Sequence, residues 1–423
     1  MFVKHTQLTR NIIINTIIIL TALVLHSNLN AQQSDRAWID STLKSIPFLE
    51  NLKINGFMQA QFMSASKDGM ESLVGDLPSE THNIFKLRRG RLRLEYNAGI
   101  AKYVVQFNGT ESMFQVLDAY AEVKEPWLKM FSLRGGIFKP NMDQELLYGS
   151  DLRYGNEAAR VVQKFFPTEY DMGAQLMIKH PKVPVSFTAG ILNGTTLAAE
   201  NDNRKNFTLR LLFDDWLINN RQNAFRLLVG AAIYQGGVYQ ATSNVYTMDG
   251  NIFVLNNDPA NRGEQGVRNY YVGELTLEYR SPIGRTWFNG EFWAGEQTAT
   301  ANSVSSPGLA RPIGDSYIRP FQSMFGLIAH EIKGTNTALA VKFDHFDPNT
   351  SVSGDEIGAA NSHTGIADIT YTTLSYGIIF TPTNHLRFSL WYDMTSNETS
   401  ANVTGYTENK KQNLITLRMQ VRF

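Results

Sequence analysis

Apolar and polar residues alternate along this chain in stretches of about ten residues, a period-2 pattern that marks half-buried strands. The last stretch is the clearest. Asn413, Ile415, Leu417, Met419, Val421 and Phe423 fall on one face of an extended chain, and Leu414, Thr416, Arg418, Gln420 and Arg422 on the other. The first face is nearly all apolar and the second mostly polar. Similar stretches begin near Leu52, Phe85, Ala101, Gln115, Leu128, Tyr170, Val183, Asn206, Phe225, Asn269, Thr286, Ser323, Asn336, Tyr371, His385 and Gln412. About sixteen segments of this kind predict an all-β chain, a transmembrane antiparallel up-and-down β-barrel with lipid outside and water inside.

The connections support that reading. Short links are expected at Glu125-Pro126-Trp127, His180 to Pro184, Ser281 to Gly284, Lys333-Gly334-Thr335 and Pro382 to Asn384, with a longer one from Asp214 to Ala224. Between them come the long links Met63 to Ile84, Lys139 to Glu169, Gly237 to Arg268, Gln297 to Gln322, Phe346 to Thr370 and Thr395 to Lys411. Alternation of tight turns with long polar loops is what such a barrel requires, and a sandwich has no reason to keep it.

The N-terminus carries Lys4 and Arg10, then an apolar stretch from Ile12 to Leu25, then small and polar residues. This predicts a signal peptide over 1–31, cleaved after Ala31, and together with the barrel pattern a bacterial outer-membrane location. The alternative, a retained anchor, is opposed by an apolar core short for spanning. Residues 32–51 precede the barrel, which is expected over 52–423. Trp38, Ile39, Leu43, Ile46, Phe48 and Leu49 give that segment a partly helical pattern, so it reads as a short periplasmic helix or a disordered tail.

Composition narrows the chemistry. Of 423 residues, 43% are hydrophobic and only 18% charged, and there is no cysteine. Thiol catalysis, cysteine-bound zinc, iron–sulfur clusters and a lipoprotein anchor are therefore excluded. Basic and acidic residues balance at 39 each, which gives no global field for nucleic acid. The eight histidines are scattered, and His345 lies beside Asp344 on the opposite strand face, so they form no dyad. No metal site or cofactor is expected, and no enzymatic activity.

Charges in the strands belong inside, because an arginine facing lipid near the midplane costs about 2–4 kcal/mol. From Arg91 onward, Arg91, Arg93 and Glu95 face one way and Leu92, Leu94 and Tyr96 the other. Upstream, Lys86 and Arg88 share parity with the leucines, so either that end projects beyond the membrane or Gly90 marks a bulge. The same parity puts Lys102, Arg134, Arg210, Arg226, Lys342, Arg387, Arg418 and Arg422 inside, with Asp118, Glu122, Glu274, Glu278, Glu291, Asp344 and Asp393. These charges either solvate the lumen and pair with one another, or a subset lines a constriction that selects ions. The candidate constriction is the loop after the fifth strand, with Lys139, Asp143, Glu145, Asp151, Arg153, Glu157, Arg160 and Lys164. A loop of about thirty residues exceeds ordinary lengths, which points to function or disorder.

The basic strand Phe85 to Glu95, Gly136-Ile137-Phe138-Lys139-Pro140, Glu157 to Arg160, Tyr170-Asp171-Met172-Gly173 and Ile191-Leu192-Asn193-Gly194 occur in this order. In this the chain resembles the phosphate-selective porin O and P family over most of its mature length. The resemblance implies a homotrimeric sixteen-stranded porin for small hydrophilic solutes, whose third loop folds inward. It also implies that lumenal arginines guide phosphate or other anions, with Arg89, Arg91, Arg93, Arg134 and Arg160 as the candidates. Lys139, Arg418 and Arg422 join them as pore-lining bases, and Asp143, Glu145 and Glu157 are the constriction-loop acids. The aromatic end at Phe423 resembles the signal that bacterial barrel-assembly machinery reads. A second reading is a surface binding or adhesion barrel that uses its Asn-, Gly-, Ser- and Thr-rich loops, Gly237 to Arg268 and Gln297 to Gln322.

Overall fold

The computed structural model describes residues 50–200, 202–220, 223–305 and 314–423. The expected signal peptide and nearly all of the 32–51 segment lie outside the described residues. The strands in chain order are β1 (Leu52–Ala65), β2 (Asn83–Ala98), β3 (Ala101–Gly109), β4 (Phe114–Lys124), β5 (Phe131–Phe138) and β6 (Asp171–Lys179). Next come β7 (Val185–Leu192), β8 (Asn206–Asn219), β9 (Ala224–Tyr239), β10 (Val245–Asp249), β11 (Ile252–Asn256) and β12 (Gln265–Ser281). The last are β13 (Gly284–Ala299), β14 (Ser316–Ile332), β15 (Thr337–Asp347), β16 (Tyr371–Thr383), β17 (Leu386–Asn397) and β18 (Gln412–Arg422).

Sixteen of these form a closed antiparallel barrel. Each pairs with the next, β9 passes directly to β12, and β18 returns to β1 from Phe57↔Arg422 to Ala65↔Leu414. At the closing point Gly56 and Phe423 exchange both backbone hydrogen bonds, at 3.2 and 3.0 Å. A Cβ on Gly56 would lie 2.4 Å from the Phe423 ring, so the terminal aromatic lies over a glycine. The alternation holds in space. Ile415 and Leu417 are 44% and 48% exposed on the outer face, while Thr416 and Arg418 are 0% and 5% exposed inside.

The two classes of connection fall at opposite ends of the wall, with one short link, 110–113 between β3 and β4, at the long-loop end. The long turn expected from Asp214 to Ala224 is a correction. β8 continues to Asn219 through a register shift near Trp216, and the turn is only residues 220–223. Two consecutive acids, Asp214 and Asp215, look like loop sequence. Inside a lumen, however, Asp214 pairs with Arg226 of the facing strand at 2.6 Å.

A hairpin was not expected in the Gly237–Arg268 loop. β10 and β11 turn at Gly250-Asn251, with Gly250 at φ +60°. β10 lies parallel to residues 316–318 of β14, above the point where β15 ends at Asp347 opposite Gln322. The hairpin therefore extends the wall where β14 has outgrown its neighbour. Val352, Ile357, Ile369, Val403 and Tyr406 pack with Met248 and Tyr371, which ties three long loops into one layer.

Leu417→Arg places a charge on the lipid face near mid-strand and is expected to lower stability by about 2–4 kcal/mol. Urea titration of folding into lipid vesicles measures it, and an unchanged midpoint would contradict the assigned outer face.

Candidate functional site

Residues 139–170 leave the wall after β5 and fold into the lumen. Gly136 and Gly173 face each other across β5 and β6 just before the departure. Gly136 has φ +127°, and a Cβ there would sit 2.2 Å from the Ala119 carbonyl oxygen. A Cβ on Gly173 would sit 2.1 Å from the Ile191 carbonyl oxygen. Only glycine permits strands this close, which explains two motif glycines. At the loop's return, the Asp171 carboxylate accepts from the Gly194 N–H at 3.1 Å, and Arg268 donates to the Gly194 carbonyl at 3.0 Å.

The loop contains two short helices, α1 (Gln144–Leu147) and α2 (Arg160–Phe165). Helices this short are not stable alone, and their first N–H groups need partners. The wall supplies them. Asp143 caps α1 by accepting from the Leu146 N–H at 2.7 Å. Glu274 of β12 accepts from the Gln144 N–H at 3.0 Å, and Glu291 of β13 from the Glu145 N–H at 2.9 Å. Asp344 of β15 accepts from the Arg160 N–H at 2.9 Å, and Lys342 donates to the carbonyls of Glu157 and Ala158 at 3.2 and 3.3 Å. In each case the carboxylate oxygen supplies the acceptor that a first-turn N–H lacks.

Glu157 is the loop's main electrostatic anchor. Arg88 and Arg89 of β2 reach it at 3.0 and 2.6 Å, and Arg418 of β18 at 2.7 Å. Two consecutive residues thus contact one carboxylate, so the strict alternation is broken between Arg88 and Arg89. Burial raises the Glu157 carboxyl, but the Arg88, Arg89 and Arg418 guanidinium groups outweigh it and hold it well below the usual carboxylate range. Arg418 also donates to the Asn156 carbonyl at 2.6 Å, and Gln59 to the Ser150 carbonyl at 3.0 Å.

Further pairs hold the loop to itself. Lys139 bonds Glu169 at 2.6 Å and the Leu146 carbonyl at 2.8 Å, while Arg153 lies 3.1 Å from Glu145. Burial brings the Lys139 ammonium down to about 8 against the pull of Glu169. Asp143 is pushed up to about 7 by burial, opposed by its bond from the Leu146 N–H. The apolar side of α2 ends in Phe165 and Phe166, seated among Tyr234, Tyr270, Trp293, Phe321 and Phe346. Arg268 donates from that aromatic wall to the Phe165 carbonyl at 2.7 Å.

The proposed pore bases therefore divide. Arg89, Arg418 and Lys139 are engaged with loop carboxylates, as above. Arg93 pairs with Asp118 at 2.6 Å and Arg134 with Glu122 at 2.7 Å, both half-buried on the β2–β5 side. Arg422 donates to the Asn384 carbonyl at the short-turn rim. Arg91 and Arg160 have no ion pair among the described residues. Arg91 lies 5.8 Å from the Phe57 ring centroid, and Arg160 lies 4.4 Å from that of Tyr371, with its buried Nε unpartnered. The three acids Asp143, Glu145 and Glu157 are buried inside the loop and its contacts.

Parity placed Arg210, Glu274, Glu291, Lys342 and Asp344 inside, but their role as loop anchors was invisible, Arg210 acting through the Asn141 side chain and its pair with Glu274. Arg88, Glu169, Arg268 and the aromatic seat were missed, because their partners are remote in sequence. His330 and His345 pair with Thr286 and Thr372 at 2.9 Å each, on the outer parity of β14 and β15, away from the lumenal carboxylates.

Glu157→Gln leaves three guanidinium groups around a neutral amide, and breaking a buried pair costs about 3–5 kcal/mol. The loop is expected to become cleavable by added protease in the detergent-solubilised barrel. The wild-type loop should stay protected when the pH falls from 7 to about 5, because the folded value lies below the unfolded one of about 4.3. Its contribution is complete above the unfolded value and is lost only as pH falls through the depressed one. Cleavage of the wild type near pH 5 would contradict the assignment.

No protein-family model matches the chain, and no curated protein matches it. Solved barrels are similar in fold. The chain is similar to OprB of Pseudomonas putida, with TM-score 0.59 and 7% identity over 92% of this chain and 97% of that one. An anion-selective porin from Comamonas acidovorans aligns with TM-score 0.52 and 8% identity over 88% and 99%. A loop L8 deletion mutant of OmpT, an outer membrane protein of Vibrio cholerae, aligns with TM-score 0.51 and 10% identity over 88% and 99%. At these identities the likeness is one of architecture, a closed antiparallel β-barrel.

Proposed function

We propose that the chain is an outer-membrane porin through which small hydrophilic solutes diffuse passively. The observation that carries this reading is the loop of residues 139–170, seated inside a closed wall whose lumenal face is charged along its length. A loop held by so many wall contacts narrows the lumen without closing chemistry around a reacting centre. In this reading residues 1–31 are a cleaved signal peptide. The strand ending at Phe423 is the address for the barrel-assembly machinery, and the assembly is the homotrimer that the family resemblance implies.

Anion preference, phosphate included, is the finer part of the proposal. Most lumenal arginines are neutralised by a carboxylate, so among the candidate bases at the inward loop selectivity falls to Arg91 and Arg160, which have no ion pair among the described residues. Arg160 shares a face of α2 with Lys164 one turn on, which concentrates positive charge beside the loop.

Purified protein in planar bilayers is expected to give discrete conductance steps, and their absence under all conditions would end the porin reading. In a salt gradient the reversal potential should show anion preference, and Arg91→Gln with Arg160→Gln should shift it toward cations. A cation-selective wild type would remove the anion assignment and leave the porin intact.

A further inference from the structure

Below the inward loop, toward the short-turn end, the lumen holds a cavity of about 800 Å³. It is bounded by Tyr148–Tyr154 of the loop and by the turn-proximal ends of β12 to β18. That volume lies within the range of sites that hold drug-sized molecules. Six basic side chains line it against two acidic ones, Asp151 and Glu331. Three of the bases are already engaged, Arg153 with Glu145, and Arg280 and Arg285 with Glu278. Glu331 is engaged as well, by Arg285 at 3.3 Å. That leaves Lys333, Arg387 and Arg422 against Asp151 alone, with no ion pair to any of the three bases among the described residues.

Arg387 and Arg422 are placed to act together. In register Arg387 faces Gln420, so Arg422 stands two positions along the neighbouring strand on the same lumenal face. Arg387 donates to the backbone carbonyl of Asp151 at 3.2 Å, and Arg422 to that of Asn384. Bonds to neutral carbonyls orient the guanidinium groups without cancelling their charge, which suits them to grip a planar anion.

Beside them is a wall of rings. Trp287 meets Tyr148 edge-on at 5.5 Å and Tyr154 at 5.3 Å between centroids. The Tyr154 hydroxyl is held by Glu331 and Arg285, so its ring face remains an apolar surface, with the Arg387 guanidinium 5.9 Å from its centroid. Inorganic phosphate would use only the bases of such a site, and a neutral sugar would leave them uncompensated. A carboxylate attached to a flat apolar ring uses both.

We propose that this cavity is a binding subsite for small aromatic carboxylates, with the carboxylate between Arg387 and Arg422 and the ring against Tyr154 and Trp287. The proposal rests on the porin reading for how the solute arrives, while the site's affinity can be measured without transport.

The test titrates the detergent-solubilised full chain with sodium benzoate, followed by calorimetry and tryptophan fluorescence. Saturable binding with a fluorescence change that Trp287→Phe abolishes is expected. Arg387→Gln and Arg422→Gln should each weaken binding by about tenfold, or about 1.4 kcal/mol. Should Arg387→Gln fail to give the heat-modifiable folded band on a gel, Arg422→Gln at the strand end carries the test. Inorganic phosphate should bind more weakly than benzoate. No benzoate binding, or binding indifferent to both arginines, overturns the subsite. Equal affinity for phosphate overturns its aromatic part. Conductance in potassium chloride is recorded in parallel, so loss of conductance with binding retained counts against the porin reading alone.

Discussion

In hydrocarbon a backbone N–H or C=O finds no water, and each one left unpaired costs several kcal/mol. A strand can therefore cross only if both of its edges are occupied, which for a sheet means closing on itself. The ladder between β18 and β1, continued to the exchange of hydrogen bonds between Gly56 and Phe423, is where that condition is met. The remaining organisation follows from it. Closure gives every strand one face toward lipid and one toward the lumen. The lipid face excludes charge, so Arg93, Asp118, Arg210, Glu274, Asp344 and Arg418 all collect inside.

A lumen filled with charge needs those charges paired, and the inward loop is built from that need. Its helices have four and six residues, too short to persist unaided. Their free N–H groups meet Glu274, Glu291 and Asp344, and the carboxylate of Glu157 meets Arg88, Arg89 and Arg418. Loop and wall thus satisfy each other, and the aromatic seat of Phe165 and Phe166 adds apolar contact. Most lumenal charge is consequently structural. Bases without an ion pair among the described residues include Arg160 on the loop, Arg91 and Arg268 beside it, and Lys333, Arg387 and Arg422 below it.

Much of the barrel is legible without coordinates because parity is a local property. Ile415 beside Thr416 and Leu417 beside Arg418 sort to opposite faces whatever their neighbours are. The β10–β11 hairpin was equally available, since the β-prone runs Val245–Asp249 and Ile252–Asn256 flank a Gly-Asn turn, a standard hairpin signal. It was lost inside a stretch read only as a polar loop. Asp214 failed the other way, because an acid that looks like a turn residue is at home on a strand facing water.

The sequence by itself determined the sixteen-strand wall, which face of most strands meets lipid, and which long loop has too many residues to be a simple link. Those follow from a two-residue period and from the cost of charge in hydrocarbon, both of which act within one segment. Tertiary structure alone decided what each lumenal charge does. Glu157 and Arg418 are 261 residues apart, and Glu145 and Glu291 are 146 apart, so their pairing is set by barrel curvature and by the loop's path. No local period records that path. Whether an arginine anchors the loop or remains free for a solute therefore depends on which carboxylate the fold brings beside it.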